Sequence, residues 1–167
     1  MTYYLLFVMK VATRQVHFAG CTVNPDADWM QQIARNLTDG LESFLGGTRY
    51  LIMDRDTKYT AVFRSILRQA GVICLRLPPC SPNLSPHIER FMRSLKDESV
   101  RRLILFGEDS LRRTVRDFLA HYHGERNHQG LENKILEPGT EVGGKEGRIA
   151  CRQRLGGLLR YYYRKAA

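Results

Sequence analysis

Tyr50-Leu51-Ile52-Met53-Asp54 is a short apolar run that ends on a carboxylate, and its reading decides the fold. Four consecutive apolar residues before a polar cluster predict a strand. An acid at the C-terminal end of a strand stands where open α/β sheets place functional groups. Beyond it, Phe63, Ile66, Leu67 and Ala70 mark a helix closed by Gly71, and Val72–Leu77 reads as another strand.

Upstream, Tyr3 to Val11 is a nearly unbroken apolar run and predicts a strand buried on both faces. Thr13-Arg14 supply a turn, and Gln15 to Val23 predicts the second arm of a hairpin. Asp26 reads as the cap of a helix over Ala27–Leu37, in which Met30, Ile33, Ala34 and Leu37 share a face. Trp29, early in that helix, reads as core. Pro78-Pro79-Cys80-Ser81-Pro82-Asn83 is a stiff loop, and Pro86 suits a first helical position. Ile88, Phe91, Met92 and Leu95 then predict one amphipathic helix. Leu111, Val115, Phe118, Leu119 and Tyr122 predict another. The expected order is β-β-α-β-α-β-α-α. After Asn133 the chain turns polar and Gly-rich, with Gly143-Gly144 as a hinge into a basic tail.

The chain has 167 residues and a net charge of +9, a balance that favours polyanionic partners, nucleic acid first. Residues 145–167 hold seven basic side chains against Glu146 alone, so much of the excess lies there. Arg160, Arg164 and Lys165 flank Tyr161-Tyr162-Tyr163 and are read as nonspecific phosphate contacts on a mobile arm. Cys21, Cys74, Cys80 and Cys151 have no zinc-ligand spacing and read as reduced thiols. Tyr3–Met9 is far shorter than the ~20 residues of a membrane span. No membrane association and a cytoplasmic location are expected.

Glu89 falls in the first turn of the helix that begins near Pro86, where the helix dipole favours an ionised carboxylate. It lies 35 positions after Asp54. Carboxylates on two rigid elements suit hard divalent ions, and two such ions about 3.5–4 Å apart drive phosphodiester transfer. By spacing alone, the pair reads sooner as a turn aspartate and a dipole-complementing glutamate than as a metal site.

The residues around the pair carry more. Leu51-Ile52-Met53-Asp54-Arg55-Asp56-Thr57-Lys58-Tyr59-Thr60, then Pro79-Cys80-Ser81-Pro82-Asn83, then Ile88-Glu89-Arg90-Phe91-Met92-Arg93-Ser94-Leu95-Lys96, resemble the retroviral-integrase-like catalytic core of bacterial insertion-sequence transposases. His121-Tyr122-His123-Gly124-Glu125-Arg126-Asn127-His128-Gln129-Gly130-Leu131 is similar to the closing signature of that family. The resemblance covers about residues 3–133. It implies a ribonuclease-H-like mixed sheet flanked by helices and a DDE carboxylate trio on Mg²⁺ or Mn²⁺. Asp54 would be the second acid and Glu89 the third. Asp56 is the fallback ligand, since in a strand it would face the same side as Asp54. Arg93 and Lys96 lie on the helical face of Glu89, which in the family meets the DNA end.

The resemblance also places a first Asp on a central strand before the hairpin. This sequence opens at Met1 inside the second strand, and its first acid is Asp26. The expectation is therefore a fragment. Residues 1–133 form a core without its first central strand, and 134–167 form a linker and basic tail. Two functions follow. One is DNA integration or transposition by metal-dependent cleavage and strand transfer, impaired in an isolated fragment. The other is an inactive remnant that binds DNA or pairs with a full-length transposase. DNA and further copies of a transposase are the expected partners. His121 and His123 are weaker metal candidates, and His87 either touches the site or faces solvent.

Overall fold

A computed structural model describes residues 1–40, 43–78 and 86–165. They form a mixed α/β protein of four α-helices and small two-stranded sheets. The chain divides into two compact units, one of residues 1–8 with 17–86 and the other of residues 9–16 with 87–167.

In the first unit, strands β1 (Tyr4–Met9) and β2 (Val16–Thr22) pair as expected. The burial expected on both faces of β1 is corrected. Val8 is buried, but Tyr4 remains 44% exposed, because a two-stranded sheet covers little of its own surface. Helix α1 (Ala27–Thr38) starts at Asp26, whose Oδ1 accepts the Trp29 N–H at 2.8 Å. This satisfies a first-turn amide that the helix itself leaves unpaired. The expected apolar stripe, Met30, Ile33, Ala34 and Leu37, is buried in full, and Trp29 is half-buried against it. Gly20 of β2 matters here. A Cβ at that position would lie 2.9 Å from the Trp29 ring and 3.0 Å from the Ile33 Cδ1.

Strands β3 (Tyr50–Met53) and β4 (Ile73–Arg76) run parallel, with Tyr50 opposite Ile73 and Met53 opposite Arg76. Parallel strands need a crossover, and helix α2 (Ala61–Gln69) supplies it. Thr60 Oγ1 accepts the Phe63 N–H at 3.2 Å to start α2, and Gly71, at φ +84°, turns the chain after it. Phe63, Leu67 and Val72 join Met53 and the α1 stripe in one core.

The second unit is built on helices α3 (Pro86–Glu98) and α4 (Gly107–Gly124). Pro86 opens α3 as the sequence predicts. Phe91 packs edge-on against Tyr122, with centroids 5.0 Å apart, and against Phe118 at 5.9 Å. Ile88 and Met92 are only half-buried, which narrows the expected core face of α3 to Phe91 and Leu95.

The expected mobile arm is a second correction. Strands β5 (Arg148–Arg154) and β6 (Leu159–Lys165) pair antiparallel, with Cys151 opposite Tyr162. Their connection takes positive φ at Leu155, Gly156 and Gly157. Leu159 is buried, and the hairpin packs on α4. The charge that made this stretch read as an arm is partly consumed in holding it down, as Glu125 shows below.

Candidate functional site

Asp54 follows the last residue of β3, and its placement begins with the β3–β4 pair. The Leu77 N–H donates to the Met53 carbonyl at 2.9 Å, and Arg55 Nε donates to the Leu77 carbonyl at 2.9 Å. The end of β3 is thus tied twice to Leu77. Asp54 is exposed there, and its Oδ1 accepts the Asp56 N–H at 3.0 Å. Among the described residues nothing bonds to Oδ2, so this oxygen is available to a ligand.

Asp56 stands differently. The strand ends at Met53, so the alternation that would align Asp56 with Asp54 does not extend to it. Its Oδ1 accepts the Lys58 N–H at 2.9 Å, and its Oδ2 meets Lys58 Nζ at 2.7 Å. The side-chain bond to Lys58, with the backbone bond behind it, holds the carboxyl below its ordinary range. A cation at Asp56 has to displace that lysine.

Sequence reading passed over Tyr59. Burial, with the charges of Asp54 and Asp56 behind it, pushes its phenol up to about 12. Its hydroxyl therefore stays protonated beyond the pH at which an ordinary tyrosine ionises. The available signal was a tyrosine five residues after a strand-end aspartate, which is too common a pattern to single out.

Glu89 lies in the first turn of α3 and is exposed. It lines a shallow groove with Ile88, Met92, Arg93 and Lys96. The expected i, i+4, i+7 face is thus one continuous concave surface. Asp97 at its far end is tied to Arg101 at 2.6 Å. Among the described residues Glu89, Arg93 and Lys96 have no ion-pair partner.

The histidines of the closing stretch have structural partners. His123 Nε2 accepts the Val16 N–H at 3.0 Å, and His128 Nε2 lies 2.8 Å from the Tyr122 carbonyl. His121 Nδ1 lies 2.9 Å from Glu125 Oε2. Glu125 is buried and also receives Arg154 at 2.7 Å and Arg152 at 3.3 Å. Burial alone raises this carboxyl, but bonds from Arg154, His121 and Arg152 outweigh it and hold it low. In β6, Arg160, Tyr162, Arg164 and Lys165 are exposed, while Tyr161 and Tyr163 stack at 5.7 Å. The loop around Ser81-Pro82 lies outside the described residues, as does Cys80; Cys74 and Cys151 are free thiols.

Asp54 and Glu89, each within its own unit, each present an exposed carboxylate, the hard oxygen donor that a divalent cation takes. Among the described residues no three His, Cys, Asp or Glu side chains converge as metal ligands. Among them, too, no helix is long and apolar enough to cross a membrane.

Residues 70–135 match the family model of the integrase core domain. The match runs through β4, α3 and α4. It takes in Glu89, Arg93, Lys96 and the closing stretch, and it stops short of Asp54. None of the curated proteins matches the chain.

Proposed function

We infer that this chain, which carries an integrase core sequence over residues 70–135, acts in DNA integration or transposition by metal-dependent phosphodiester cleavage and strand transfer. The observation that carries the reading is the placement of Glu89 within the matched segment. Its unpaired carboxylate shares a groove with the unpaired cations Arg93 and Lys96.

Asp54 and Glu89 would hold the Mg²⁺ or Mn²⁺ ions, together with at least one further carboxylate. Asp54 offers the oxygen that its own loop leaves unused. Bound there, such ions activate the attacking oxygen and stabilise the leaving one. Arg93 and Lys96 would grip backbone phosphates and fix the strand on the α3 face. Arg160 and Arg164 on one face of β6, with the exposed Lys165 at its end, would add contacts without sequence preference. The ribonuclease-H-like arrangement belongs to the same proposal. It is supported by the β1–β2 hairpin and the parallel β3–β4 pair, which that fold joins through one central strand. Residues 1–133 would then form the core, with the β5–β6 hairpin appended.

A strand-transfer assay with Mn²⁺ and duplex DNA ends tests the reading. Activity that disappears in Glu89→Gln and in Asp54→Asn is the expected result. DNA binding with a steep salt dependence and no cleavage under any metal overturns it in favour of a non-cleaving partner of a full-length transposase.

A further inference from the structure

Helix α3 has a second polar face. Glu89, Arg93 and Lys96 look into the groove already described. His87, Arg90 and Ser94 line a different concavity of about 280 Å³. The other walls come from two more elements. Arg14 enters from the β1–β2 turn, and Arg126 and His128 enter from the segment after α4. Phe91 and Tyr122 contribute the apolar part of the lining. Among the described residues no Asp or Glu lines this pocket.

Three guanidiniums and two imidazoles thus line one open concavity. Only Arg126 is compensated, by Glu98 at 2.5 Å. Among the described residues Arg14 and Arg90 have no carboxylate partner. Their mutual proximity is unfavourable, as the neighbouring groups register. His87 is pushed down by burial and by the charges of Arg14 and Arg90. Arg14 adds a second cost. It holds φ at +62°, the left-handed region in which glycine is usual, so its turn places a large cation where a small residue is easier. Side chains that merely face solvent on a basic surface do not have to converge, and a turn that merely closes a hairpin does not need arginine.

We propose that this pocket is an anion site that holds one phosphate group between Arg14, Arg90 and Arg126. Guanidiniums present paired N–H donors that match phosphate oxygens, and Ser94 offers a hydroxyl beside them. One phosphate offsets the charge that the pocket concentrates. Among the described residues it shares no lining residue with the Glu89 groove, so its occupancy does not depend on metal-dependent cleavage.

The test uses the whole chain in EDTA at physiological salt, with Asp54→Asn and Glu89→Gln present to remove any metal chemistry. Inorganic phosphate is titrated first, followed by calorimetry and by the imidazole NMR signals of His87 and His128. Short single-stranded oligonucleotides with and without a 5′-phosphate come next. Arg14→Gly combined with Arg90→Ala is expected to weaken binding about tenfold or more. Arg93→Ala with Lys96→Ala is expected to leave inorganic phosphate binding unchanged. Loss for inorganic phosphate and the 5′-phosphorylated strand alone identifies a free or terminal phosphate. Equal loss for both strands identifies a backbone phosphodiester. Either supports the site. Retained affinity in the Arg14/Arg90 variant overturns it, as does an equal loss in the Arg93/Lys96 variant. Arg14→Gly relieves the left-handed backbone, and Arg90→Ala alters only an exposed position, so each also reads singly in a folded protein.

Discussion

Arg154 of β5 reaches Glu125 at the end of α4, with Nη2 2.7 Å from Oε1 and Nε 3.0 Å from the same oxygen. Glu125 is buried, whereas Arg154 and Arg152 keep part of their surface in water. The hairpin that follows the matched segment is therefore fastened to that segment's last helix by a buried carboxylate.

Glu125→Gln should destabilise the protein by about 2–4 kcal/mol, somewhat under the cost of breaking a fully buried pair, because the arginines regain solvent. Urea unfolding followed by circular dichroism measures it. A change indistinguishable from zero would show that the hairpin is held by Leu159 and its neighbours alone.

Acid should weaken the fold from near neutrality. Burial lowers His123 and His128 below the ordinary imidazole value, and His123 must be neutral to accept the Val16 N–H. The unfolded chain thus takes up protons first as pH falls. Stability is full above about 6.5 and declines below it towards the lowered folded values. Tm should drop by about 2–4 °C for each kcal/mol so lost. His123→Gln, whose amide oxygen still accepts that N–H, should flatten the decline, and an unchanged profile counts against the assignment.

Asp54 and Asp56 should separate sharply. Asp54→Asn should abolish Mn²⁺-dependent strand transfer, while Asp56→Asn should leave its rate within about threefold, since Asp56 is already committed to Lys58. The reverse order would make Asp56 the ligand.

Salt dependence should report the α3 groove. Arg93→Ala and Lys96→Ala should each weaken duplex binding and each lower the slope of log K against log salt by about 0.9. Slopes equal to that of the parent chain would mean that neither side chain contacts a phosphate.

Much of this was legible in local sequence. The α1 stripe, the Asp26 cap, the β3 run into Asp54 and the Pro86 start of α3 depend on spacing and on single-residue chemistry, which act over one or two turns. The β5–β6 hairpin was not legible. Its arginines read as a solvated arm until Glu125, more than twenty residues earlier in the chain, is placed beneath them. Asp56 misled for a related reason: strand alternation holds only while the strand lasts, and β3 stops at Met53.

By itself, then, the sequence determined which segments are helical or extended and which acids and cations share an element, because those follow from periodicity along the chain. Tertiary structure alone decided which charges are spent. Glu125 is closed by Arg152 and Arg154, whereas Asp54 and Glu89 stay without an ion-pair partner among the described residues. It also brought Arg14, Arg90 and Arg126 around one cavity from three distant segments. The physical reason is that an ion pair or a pocket is a relation in space, and separation along the chain carries no information about it.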